Sequence, residues 1–180
     1  MTTTSTQLAP VRKSLTLTGR VVPYETEADL GSFTESFARG CFAESIQNAS
    51  HGIPLLLEHD RSKPPIGRAK IEDFEERADG LYAKFRLDDS PEAIEAHRLA
   101  EQGLRAYLSV GFKAIRSTTS KPGSKPHVHH HTARLLEVSL VAIPAYAEAS
   151  VTGTRSLNHH RAWLNAQPLP RPTDIPRARR

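Results

Sequence analysis

The chain has 180 residues, 38% of them hydrophobic and 24% charged, with a single cysteine; that suits one domain with a real core plus some unstructured length, and excludes an intrachain disulfide. Its net charge is +4, but residues 155–180 hold six arginines against one acid, Asp174, so the basicity sits in the tail and the body is close to neutral, which argues against a nucleic-acid-binding domain. No apolar run approaches the roughly 20 residues of a membrane span, and the Thr-rich start, Met1 to Ala9, lacks the layout of a secretory signal, so a soluble intracellular protein is expected.

Residues 1–13 read as a disordered N-terminal segment, 14–153 as one domain, and 154–180 as a basic Pro/Arg-rich tail with at most a helical turn at Trp163-Leu164. Leu15 to Val22 alternates like a strand, and Pro23 ends its ladder bonding. Gly40 to Gln47 starts a short helix, with Phe42 and Ile46 on one face. His51-Gly52 ends it, and Ile53 to Glu58 is the next strand. Ile66 to Glu76 and Leu81 to Leu87 both alternate, and the Asp79-Gly80 turn between them makes a β-hairpin.

Ser90 as N-cap and Pro91 at the first helical position begin a helix that Gly103 closes. Tyr107 to Phe112 is a short strand, with Leu108, Val110 and Phe112 on one face and Tyr107, Ser109 and Gly111 on the other. Residues 117–132, with His127, His129, His130 and His131, read as an exposed, mobile loop. Leu135 to Ile143 is the most strand-like run, stopped by Pro144, and Ala145 to Val151 allows one more short element. Many short strands and one clear helix predict a mainly β (α+β) fold: a small closed antiparallel β-barrel or sandwich with peripheral helices.

Three stretches supply the groups of a serine hydrolase. Ser109 offers a hydroxyl, which is a weak nucleophile until a neighbouring base takes its proton. His59 offers an imidazole, a suitable base near neutral pH. Glu137 lies with Ser139 on the polar face of an otherwise apolar strand and can orient the imidazole. Plainer readings stand beside these: Ser109 as an ordinary strand serine, and His59 as a strand-end histidine salt-bridged to Glu58 or Asp60. The four histidines of 127–131 lack the spacing of a deliberate metal site. Cys41 reads as a small buried hydrophobe. No metal or cofactor is expected.

Taken in order, Phe37-Ala38-Arg39-Gly40-Cys41-Phe42-Ala43-Glu44-Ser45-Ile46, Leu55-Leu56-Leu57-Glu58-His59-Asp60, Pro65-Ile66-Gly67, Asp79-Gly80-Leu81, Leu108-Ser109-Val110-Gly111-Phe112 and Leu136-Glu137-Val138-Ser139-Leu140-Val141-Ala142-Ile143-Pro144-Ala145 resemble the prohead maturation proteases of tailed bacteriophages over residues 15–152. The resemblance implies a serine endopeptidase related in fold to the herpesvirus assembly proteases, with a closed, mostly antiparallel barrel. It places the family's histidine and serine on His59 and Ser109, and the third member on Glu137, with His51 and His97 as rivals. Backbone N–H groups near Gly111 would bind the oxyanion, and the arginine used by the herpesvirus relatives would fall on Arg134 or Arg116. The implied partners are the major capsid protein with its scaffolding segment, and the protease itself, through self-cleavage and a homodimer. The implied place is the interior of the immature capsid in the host bacterial cytoplasm, and the tail would suit packaging or self-processing. The rival reading is a catalytically inactive capsid assembly or scaffold protein of the same fold.

Overall fold

The computed structural model describes residues 15–155, apart from 122 and 124. Both the N-terminal segment and the tail expected from the sequence therefore lie outside the described residues, save the first residues of the tail. Among the described residues, ten strands and two α-helices follow one another: β1 (Thr16–Pro23), β2 (Ala28–Asp29), β3 (Thr34–Phe37), α1 (Ala43–Gln47), β4 (Ile53–Leu57), β5 (Gly67–Ala69), β6 (Phe74–Arg77), β7 (Gly80–Leu87), α2 (Pro91–Glu101), β8 (Tyr107–Ser120), β9 (His127–Val141) and β10 (Val151–Arg155). Among the described residues, no helix is long and apolar enough to cross a membrane.

The strands form one sheet in the order β10-β1-β7-β5-β4-β9-β3-β2, with β6 added on β7 and β8 on β9. The mainly β expectation is met, but the ladder is an open path from β10 to β2 rather than a closed antiparallel barrel, and β9 pairs in parallel with both β3 and β4. Backbone bonds from the segment just before β10 reach two strands at once. Ser150 O accepts from Arg20 N, and Ala149 O accepts from Leu108 N.

Local chemistry explains most elements. Ser90 Oγ accepts from the Ala93 N–H and Pro91 opens α2, while Gly103 takes a positive φ of 72° just past its end. The apolar positions of β1, β4, β7 and β9 meet in one core, where Leu17, Leu55, Leu81, Phe85, Val138 and Leu140 are fully enclosed. Each such side chain contributes about 1.5–3 kcal/mol by leaving water. The run from Ile66 to Glu76 is not one strand as its alternation suggests. A 3-10 turn at Ile71–Asp73, closed by Asp73 accepting from the Lys70 N–H, divides it into β5 and β6.

The largest departure concerns residues 117–132. They are not a mobile loop: β8 runs on to Ser120 and β9 begins at His127. The histidines find partners that a composition-based reading does not supply. Ser36 Oγ lies 3.0 Å from His127 Nε2 and 2.8 Å from His129 Nδ1, and Thr34 Oγ1 is 2.8 Å from His127 Nδ1. His130 is buried, 3.2 Å from Glu35 Oε2, with its ring 5.1 Å from Phe37 and 5.0 Å from Phe112. Among the described residues, no group of three potential ligands is arranged to hold a metal ion.

Candidate active site

β9 gathers the site. β8 pairs with it antiparallel, setting Ser109 opposite Ser139 and Gly111 opposite Glu137. β4 pairs with it in parallel from the other edge, with Leu57 opposite Leu140, so the chain leaving β4 passes over the same face. Opposed residues of an antiparallel pair share a face. Ser109, Gly111, Glu137 and Ser139 are therefore on one side of the sheet, while Leu108, Val138 and Leu140 enter the core.

His59 comes from the turn after β4, where Glu58 and His59 adopt positive φ values of 49° and 59°. Left-handed backbone at a non-glycine residue costs of order 1–3 kcal/mol and persists only when its surroundings hold it. Here they do. Glu58 N–H donates to Leu140 O, Asp60 N–H to Leu57 O, and His59 N–H to Ser139 Oγ at 3.0 Å. The Glu58 carboxylate accepts from the Ala142 N–H at 3.1 Å and lies 3.0 Å from Arg105 Nε, which ties the turn to the loop before β8.

The outcome is a continuous relay. Glu137 Oε1 lies 2.7 Å from His59 Nδ1, and His59 Nε2 lies 3.0 Å from Ser109 Oγ. Glu137 is nearly fully buried, whereas the His59 ring is 43% exposed and can meet a ligand. An ionised carboxylate only accepts. Nδ1 therefore carries the ring proton towards Glu137, which leaves Nε2 as the acceptor for the Ser109 hydroxyl. Ser139 is wholly buried and donates its hydroxyl proton to Glu137 Oε2 at 2.7 Å while accepting from the His59 N–H. Gly111 has no side chain for a steric reason: a β-carbon there would overlap the Glu137 carboxylate.

The structure thus brings Ser109 and Glu137 within hydrogen-bonding distance of the two ring nitrogens of His59. The rival histidines are elsewhere. His97 is buried in α2, 3.6 Å from Glu101, and His51 lies in the turn before β4, its carbonyl accepting from Arg68. Arg134 opposes Lys113 and Arg116 opposes Thr132, both beyond the Gly111–Glu137 pair along the strands. Sequence reasoning missed the Ser139 hydrogen bonds, although its place two residues after Glu137 on the same strand face was a usable signal. The Glu58–Arg105 pair had no signal at all, because the two residues are remote in sequence.

A family model described as Caudovirus prohead serine protease matches residues 3–162. Among solved structures the chain is similar to the KSHV protease in complex with a hexapeptide phosphonate inhibitor, at 16% identity and a TM-score of 0.42, covering 73% of this chain and 61% of that one. The chain thus spans less than two thirds of that structure's length. No curated protein matches.

Proposed function

Because the chain belongs to the Caudovirus prohead serine protease family, we propose that it is the endopeptidase of phage capsid maturation, with Ser109 as nucleophile, His59 as base and Glu137 as the group that orients His59. The observation that carries this reading is the unbroken hydrogen-bond relay from Glu137 through His59 to Ser109. His59 Nε2 takes the hydroxyl proton as Ser109 Oγ bonds to the peptide carbonyl carbon. The Glu137 carboxylate holds the ring and balances its positive charge. The proton on Nε2 then passes to the leaving amine nitrogen, the C–N bond breaks, and water releases the acyl group by the same route in reverse order.

Strand alternation suggests an oxyanion donor. Leu108 N–H already points to the edge of β8 away from β9, where it meets Ala149 O. The Val110 N–H lies on that same edge, one residue beyond Ser109; among the described residues it has no backbone partner, and it can face an incoming carbonyl oxygen.

The substrate proposed is the scaffolding part of the major capsid protein, cut inside the immature capsid within the host cell, together with the protease itself. Diisopropyl fluorophosphate should add one phosphoryl group to the purified protein, at Ser109. The adduct should be absent in Ser109→Ala and form at least tenfold more slowly in His59→Ala. An unmodified wild-type protein, or an adduct that persists in Ser109→Ala, would remove the nucleophile assignment.

A further inference from the structure

The polar face that carries the relay continues past it. Gly111 opposes Glu137, and two residues further along β8, Lys113 opposes Arg134. The extra residue of the intervening bulge is Leu136 on β9, so β8 itself keeps its alternation. Lys113 therefore lies on the same face as Ser109 and Gly111. Like charges directly opposite one another across a ladder repel. Both side chains are exposed, and among the described residues neither forms an ion pair. The surrounding stretch, residues 113–134, contains Lys113, Arg116, Lys121, Lys125 and Arg134 and not one Asp or Glu.

Arg134 also lines a cleft of about 500 Å³ between the outer face of the β8–β9 hairpin and the α1–β4 connection, with Thr132, Ile115, Leu136 and Asn48 among its walls. The cleft's one carboxylate, Glu44 on α1, is exposed and makes no ion pair with Arg134. An unneutralised cation pair beside an open cleft, on the face that holds the nucleophile, is suited to an anion delivered by a bound chain.

The geometry points to a subsite for an acidic side chain of the substrate, formed by Lys113 and Arg134, and this deepens the peptidase reading on which it rests. Lys113 stands four residues from Ser109, about 13 Å at the rise of a strand. An extended peptide covers that distance in about four residues. The acidic residue recognised is accordingly about four positions from the bond that is cut.

The test uses the full chain and a set of octapeptides in an alanine–leucine background, each with a single glutamate or its glutamine counterpart at one position. Glutamate at one position about four residues from the cut should raise kcat/KM about five- to tenfold over glutamine, and 0.5 M NaCl should erode the advantage. Arg134→Glu together with Lys113→Glu should invert the preference towards peptides with lysine at that position. Equal rates across the scan, or a glutamate preference that survives both substitutions, would overturn the subsite. Binding of the same peptides to Ser109→Ala, read by fluorescence anisotropy, needs no chemistry. If the wild type cuts no peptide, the peptidase reading fails, while tighter binding of glutamate than glutamine peptides would still establish the subsite and equal binding would refute it.

Discussion

Ser139 and Gly111 decide whether three well-placed functional groups behave as one unit. The Ser139 hydroxyl touches both the His59 backbone and the Glu137 carboxylate. Ser139→Ala would leave a buried N–H and one carboxylate oxygen without partners, at a cost of about 1–3 kcal/mol. The expected outcome is a kcat lowered roughly tenfold or more with KM little changed, measured on any peptide that the wild type cuts; a wild-type kcat would show that the clamp is dispensable. Gly111→Ala acts by volume instead. The added methyl group needs the space of the Glu137 carboxylate, so the carboxylate must swing away from His59. Activity should fall at least as far as in Glu137→Gln while the folded structure survives, which circular dichroism and a cleavage assay together would show.

Among the elements, the β8–β9 hairpin shows best where reading a sequence stops. Ser109, Glu137 and their strand faces follow from period-two alternation, and α2 follows from its serine cap, proline and closing glycine. The strand character of His127 to Thr132 does not, because beyond its pairing with residues 116–120 of β8 it is held by partners far away in sequence: Thr34, Glu35 and Ser36 on β3, with Phe37 and Phe112 packed against the His130 ring. The open ladder and the two parallel pairings of β9 are likewise long-range facts with no local mark. The amides of 128–133 should therefore resist hydrogen exchange like those of core strands; exchange at loop rates would contradict the hairpin. His130→Ala should destabilise the fold by about 1–3 kcal/mol in urea unfolding, through lost packing and the unpaired Glu35 carboxylate.

For the molecule as a whole, the core that fixes β9 also silences the single thiol. Burial is the main reason that the Cys41 pKa is pushed up to about 12, with the nearby Glu76 charge adding to it. The folded protein should resist iodoacetamide at pH 8 and react fully once unfolded; rapid labelling of the native state would show that this part of the core opens. The sign of the pH dependence follows. The unfolded thiol ionises first, near its ordinary value of about 8.5, so this group's contribution to stability is complete below that pH and is lost as pH rises towards about 12.

At the same scale, the buried core fixes β9, β9 sets the spacing of Ser109, His59 and Glu137, and this spacing is what the proposed proteolysis depends on. The most direct measurement is co-expression with the major capsid protein of the same genome, wild type beside Ser109→Ala, with intact-mass analysis of the assembled particles. The account predicts a shortened capsid protein with the wild type alone, its new terminus marking the cut. Capsid protein of equal, full-length mass in both, from folded protein inside assembled particles, would contradict it and favour the inactive scaffold reading.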